Sequence, residues 1–170
     1  MMSTTPNPVS PQHSIISTNP SRNYEVLGDV EMSSPEEVQA KVRAAKDAFP
    51  TWSALTVKER LVYAQNLRDL YVENREKIAT LQTQEMGMPI TQGYLNTDRA
   101  IAYMDWSLEN AEKSLSPSVT FETDTEINHV HHVPYGVVAA ISPWNVPANN
   151  VIWAVFQSLI AGNTVVFKNS

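Results

Sequence analysis

The residues best placed to do chemistry lie in one stretch, 141–168. Two apolar runs, VVAAI at 137–141 and TVVF at 164–167, have the uninterrupted character of strands covered on both faces. Between them stand the loop Ser142-Pro143-Trp144-Asn145-Val146-Pro147 and a helix that runs to Ala161, with Gly162 as its C-terminal glycine. Strand, loop, helix and strand within about 30 residues make a βαβ unit. Ligands of open α/β sheets bind beyond the carboxyl ends of the strands, which is where this loop must lie. Held between two prolines, Asn145 offers an amide N–H donor of the kind that stabilises an oxyanion; the competing reading is a cap on the following helix. Lys168 ends the second strand at the same edge. It can reach ribose hydroxyls or a phosphate, or stand as a solvated strand-end lysine. Val146, Asn149, Asn150 and Trp153 recur at i, i+3, i+4 and i+7, a mixed face that suits either a pocket lining or a partly exposed interface. Ile152, Val155, Phe156 and Leu159 repeat that spacing as the apolar stripe expected to pack on the sheet.

Other candidates carry less. His129 and His131 share one face of a strand-like segment and His132 takes the other, with no carboxylate beside them, so no metal site is expected. Glu36, Glu37 and Glu59 complement helix dipoles. Asp98, Asp105 and Glu109 read as a solvated helix face. The chain has no cysteine, which excludes a disulfide framework, a thiolate metal site and thiol catalysis within these residues. The loop also lacks the Gly-rich fingerprint of an ordinary dinucleotide fold.

The elements that must position this unit are mostly helices. Two strand-like runs, 14–18 and 24–32, come first, the second interrupted by Gly28. Ser34-Pro35-Glu36-Glu37 is a capping box with proline at the first helical position, and Val38, Val42, Ala45 and Phe49 form one apolar stripe that Pro50 should end. Thr56 and Glu59 repeat the capping box for a second helix, with Leu61, Ala64, Leu67 and Tyr71 on its buried side. A third helix follows Asn74 and stops at Gly87, with Pro89 beyond, and a fourth spans about 91–113. Residues 119–133 are β-like.

With 42% hydrophobic residues among 170, a substantial core is within reach. A net charge of -6 without a basic stripe argues against nucleic acid. No apolar run approaches the roughly 18 residues of a membrane span, and the polar, Pro-rich start is not a signal peptide. A disordered tail over 1–14 and a cytoplasmic location, without membrane partners, are the expectations.

The blocks Pro134-Tyr135-Gly136-Val137-Val138, Ile141-Ser142-Pro143-Trp144-Asn145-Val146-Pro147 and Ala161-Gly162-Asn163-Thr164-Val165-Val166-Phe167-Lys168 resemble the aldehyde dehydrogenase superfamily. Asn19-Pro20, Ala48-Phe49, Trp52, Arg60 and Glu85-Met86-Gly87-Met88-Pro89 are similar to its N-terminal pattern. The resemblance implies an α/β fold in which 15–118 is the helical part of a cofactor-binding domain, 119–133 begins an oligomerisation β-extension, and 134–170 is the first βαβ unit of a Rossmann-like parallel sheet. It implies NAD or NADP as cofactor, an aldehyde substrate oxidised to a carboxylate, and a homo-oligomer, dimer or tetramer. It assigns Asn145 to the oxyanion hole, Ile141, Ser142, Pro143, Trp144 and Lys168 to the cofactor site, and Val146, Asn149, Asn150 and Trp153 to the substrate tunnel. The polar character of those tunnel positions points to a polar or broad aldehyde. In such relatives a cysteine attacks the carbonyl and a glutamate activates water, both downstream of the positions matched here. The chain is therefore expected to be an N-terminal, truncated portion, inactive alone. A non-catalytic cofactor-platform remnant and a nonfunctional truncated product are the alternatives.

Overall fold

The computed structural model describes residues 14–170. The tail expected over 1–14 lies outside them except for Ser14, which opens a strand instead. That strand, β1 (Ser14–Asn19), pairs antiparallel with β2 (Glu25–Glu31). The pairing partner jumps from Gly28 to Val26 between Ser17 and Thr18, a bulge at the point the glycine marked.

Helix α1 (Pro35–Ser53) starts on the expected capping box, with the Ser34 N–H donating to Glu37 Oε2 at 2.7 Å and Ser34 Oγ accepting from the Glu37 N–H. Pro50 does not end α1; it sits inside the last turn. Proline removes one N–H from the ladder, but its carbonyl still accepts from the Ala54 N–H at 3.2 Å, so the turn closes beyond it. Helix α2 (Val57–Glu73) opens on the Thr56–Glu59 box. Helix α3 (Arg75–Met86) ends on Gly87, whose φ of 67° is the left-handed conformation a C-terminal glycine supplies.

Helix α4 (Ile90–Leu115) lies against α3 so closely at Gly93 that an added Cβ would stand 2.5 Å from the Ala79 carbonyl oxygen. The β-like stretch 119–133 forms a hairpin: β3 (Ser118–Glu122) and β4 (Ile127–Val130) pair antiparallel around a turn in which Thr123 Oγ1 accepts from the Glu126 N–H at 3.1 Å. The His129 and His131 rings lie 5.9 Å apart, with His131 just past the end of β4. Among the described residues no cluster of metal-ligating side chains occurs, and no helix is long and apolar enough to cross a membrane.

The βαβ unit comprises β5 (Val137–Ile141), helix α5 and β6 (Thr164–Lys168), with the two strands parallel and paired from Val137↔Thr164 to Ile141↔Lys168. Helix α5 is continuous but mixed: an α turn (Pro147–Val151), a π turn (Ile152–Phe156) and a final α turn (Gln157–Ile160). Two expectations change here. The strands are not covered on both faces; Ala140 and Thr164 are buried, while Ala139 and Ile141, which alternate with Ala140 onto the other face of β5, are exposed. Nor does the bulkiest face of α5 seek the sheet. Ile152, Phe156 and Ile160, all nearly inaccessible, pack with Ala64 of α2 and Ala100, Met104 and Ala111 of α4. Small residues on those two helices leave the volume that the large α5 side chains fill, while α1 lies along the strands, with Thr164 Oγ1 donating to the Ala45 carbonyl at 2.8 Å.

The α3–α4 crossing is a sharp test of this packing. Gly93→Ala should cost about 1–3 kcal/mol, since backbone carbonyl cannot retreat as a flexible side chain would. Gly28→Ala, with no heavy atom within 4 Å of the new Cβ, should stay within about 0.5 kcal/mol of the parent. Denaturant melts of the two variants compare them directly.

Candidate functional site

The loop after β5 leaves the sheet at its carboxyl edge, where the Ser142 N–H donates to the Lys168 carbonyl at 3.2 Å. A second tie closes it: Asn150 Nδ2 donates to the Pro143 carbonyl at 2.9 Å, joining the first turn of α5 back to the start of the loop. Between these ties Asn145 is exposed and makes no hydrogen bond to any described residue. The capping alternative is not realised, because the N-cap position of α5 is Val146 and no side chain caps there. What remains is a free amide on a loop anchored at both ends.

Its surroundings are mixed. Ile141 (79% exposed) and Trp144 (67% exposed) present apolar surface on the rim, and the exposed Lys168 stands beside them at the end of β6. These flat apolar surfaces and one ammonium group fit the aromatic rings and ribose or phosphate oxygens of a dinucleotide. On the α5 side Val146 is half-buried, and Trp153 packs edge-on against Tyr103 of α4 with ring centroids 6.3 Å apart. Asn149 is buried, and its Oδ1 faces no donor among the described residues. Of the four tunnel candidates, Val146 precedes α5 as its N-cap, Asn150 is committed to the loop and Asn149 is turned inward, so Trp153 is the one that presents an exposed side chain from the helix.

Helix α5 is held at both ends by side chains from the first two helices. At its start Tyr71 donates its hydroxyl to the Ala148 carbonyl at 3.0 Å, and burial pushes the Tyr71 pKa up to about 12, so the phenol keeps its proton. At its end Trp52 Nε1 donates to the Leu159 carbonyl at 3.0 Å and Arg60 Nε to the Ile160 carbonyl at 2.8 Å, while Arg60 Nη1 reaches the Leu55 carbonyl. Burial lowers the Arg60 pKa from its ordinary value, yet a guanidinium stays charged. Gly162, at φ 91°, passes so near that a Cβ would lie 3.3 Å from Arg60 Cζ. Asn163 then ties the strands, its Oδ1 accepting from the Gly136 N–H at 3.0 Å.

These positioning residues escaped reasoning from pattern. Tyr71 read only as part of a buried stripe, Trp52 and Arg60 entered only through resemblance, and Asn163 received no role. Arg60 follows Lys58 and Glu59 in a charged helix start, so nothing local marks it; the one local signal was Asn163, a polar residue between a helix-ending glycine and an apolar strand.

Against this geometry, the model of the aldehyde dehydrogenase family matches residues 8–170. The chain is 33% identical over 151 residues to the succinate-semialdehyde dehydrogenase [NADP(+)] GabD of Escherichia coli K12, covering 89% of this chain and 31% of that protein. It is 35% identical over 156 residues to the 5-carboxymethyl-2-hydroxymuconate semialdehyde dehydrogenase of Escherichia coli, covering 91% of this chain and 33% of that protein. The crystal structure of PnpE in complex with nicotinamide adenine dinucleotide superposes with a TM-score of 0.82 at 33% identity, over 91% of this chain and 31% of that one. The chain spans about a third of the length of the curated relatives it matches.

The clamp on α5 is measurable. Arg60→Leu strands two carbonyls and should cost about 2–4 kcal/mol, whereas Tyr71→Phe should cost about 1 kcal/mol. Because the folded-state pKa of Tyr71 is raised, its contribution is fully present below the unfolded value of 10.0 and is lost as pH rises toward about 12. Urea melts at about pH 8 and about pH 11 should therefore separate parent from Tyr71→Phe only at the lower pH, or reverse their order at the higher.

Proposed function

The chain belongs to the aldehyde dehydrogenase family, and from that premise we propose that it serves the NAD(P)-dependent oxidation of an aldehyde to a carboxylate, with Asn145 as the donor to the carbonyl oxygen. The observation that carries this reading is the Asn145 amide, exposed and uncommitted on a doubly tied loop at the carboxyl edge of a parallel sheet. When a nucleophile adds to a carbonyl, negative charge develops on oxygen, and a donor already fixed in place stabilises it without reorganisation. Ile141, Ser142, Pro143, Trp144 and Lys168 would hold the dinucleotide, which when bound accepts the hydride. Val146 and Trp153, backed by Asn149 and Asn150, form one side of the aldehyde's path. No cysteine occurs among the 170 residues, so a covalent thiol has to come from elsewhere.

Relatives named for semialdehydes and for NADP(+), and a similar structure holding nicotinamide adenine dinucleotide, support the substrate class and the cofactor. The β3–β4 hairpin, with Val119, Phe121, Ile127 and Val130 all exposed, supports an oligomerisation extension and hence a homo-oligomer. A cysteine-free composition fits a reducing, cytoplasmic setting.

In the protein that carries these residues, Asn145→Ala should lower kcat for aldehyde-dependent NAD(P)H formation by roughly 10²–10³-fold. A loss below about tenfold would remove Asn145 from the reaction. The 170 residues by themselves should form no NAD(P)H with any aldehyde.

A further inference from the structure

We infer that Arg99 selects aldehydes carrying a carboxylate remote from the reacting carbonyl, an inference that rests on the aldehyde-oxidising role proposed above.

The register of three helices brings Arg99 to the site. Lys58 pairs with Glu112 at 3.2 Å and Arg68 with Asp105 at 2.7 Å, so α2 and α4 run antiparallel. Helix α5 is bonded to α2 at Tyr71 by its first turn and at Arg60 by its last, so it runs antiparallel to α2 and alongside α4 in the same direction. The Tyr103–Trp153 ring contact fixes the level at which α4 and α5 meet. Arg99 lies four residues before Tyr103, on the same flank of α4 and about 6 Å nearer its N-terminus. The same step back along α5 from Trp153 reaches Asn149, in the first turn after the Asn145 loop. Arg99, Tyr103 and Trp106 therefore form a stripe at i, i+4 and i+7 that borders the N-terminal half of α5, where Asn150 and Trp153 lie, next to the Asn145 loop.

Among those side chains Arg99 is the only charged one. It is exposed and forms no ion pair with any described residue. The neighbouring acids on α4 are already engaged, Asp98 by Arg75 and Asp105 by Arg68. The Arg75 guanidinium holds the Asp98 carboxyl below its ordinary range, which commits that acid further. An arginine left without a counter-ion beside an amide- and indole-lined wall is matched by a planar anion that can accept two N–H bonds at once, and a carboxylate has that geometry. A substrate with its aldehyde at Asn145 and its far end toward α4 crosses about one helix–helix spacing, 8–10 Å, much of which the long arginine side chain itself covers. A short aldehyde acid fits that span. A neutral aldehyde of equal length gains nothing from Arg99.

The test compares succinate semialdehyde with butanal in the protein that carries these residues. Arg99→Gln should raise KM for succinate semialdehyde about 10–100-fold and leave butanal within about twofold. Arg99→Lys, which keeps the charge but loses the fork, should fall between the two. An equal effect of Arg99→Gln on both aldehydes, or none on either, overturns the inference. A second readout does not require turnover: titration of each aldehyde without cofactor, followed by tryptophan fluorescence. Weakened binding of succinate semialdehyde alone in Arg99→Gln supports the anion subsite even if no NAD(P)H forms, an outcome that would sink the oxidation reading instead. Equal binding by parent and variant sinks the subsite whatever the turnover.

Discussion

The structure turns on a buried cation that has backbone for its partners. Arg60 is 7% exposed, and its guanidinium bonds the Ile160 and Leu55 carbonyls. Burying a charge is costly unless it is fully hydrogen-bonded, and the last carbonyls of a helix are the groups most in need of donors. Placing one against the other meets both needs and joins the α1–α2 corner to the end of α5. Gly162 follows from the same contact, since a side chain there would crowd the guanidinium while also demanding a left-handed backbone.

That junction matters for the site because it acts at the far end of a short helix. With Trp52 and Arg60 at one end and Tyr71 at the other, α5 has little freedom to slide or rotate. Its first turn carries Asn150, whose bond to the Pro143 carbonyl holds the loop. Rigidity therefore passes from the helical layer through α5 to the loop that carries Asn145, whose side chain bonds no described residue. The oxyanion role proposed for Asn145 requires this arrangement, a side chain fixed by its neighbours and left free at its own amide. Trp153, in the π turn of α5, meets Tyr103 edge-on, so one element carries both this aromatic contact and the tie to the loop.

Charge follows a similar division. The arginines of α2 and α3 that face α4 are neutralised by its aspartates, which joins the helices at modest energetic gain because the pairs are partly exposed. Arg99 stays outside that arrangement on the flank nearest the loop.

The sequence by itself determined what depends on a few neighbouring residues: the helix starts at Ser34 and Thr56, the stop at Gly87, the βαβ order and the position of the Asn145 loop. Caps, turns and periodicity act within about four residues, so they can be read along a line. Only the tertiary structure decided that Pro50 stays inside its helix, that 119–133 folds back as a hairpin, that Ile152 and Phe156 face α2 and α4, and that Asn145 is free rather than a cap. Those outcomes depend on contacts such as Arg60 with Ile160 and Trp52 with Leu159, about a hundred residues apart. Which distant partner a side chain meets depends on the packing of whole helices, and no local spacing records it.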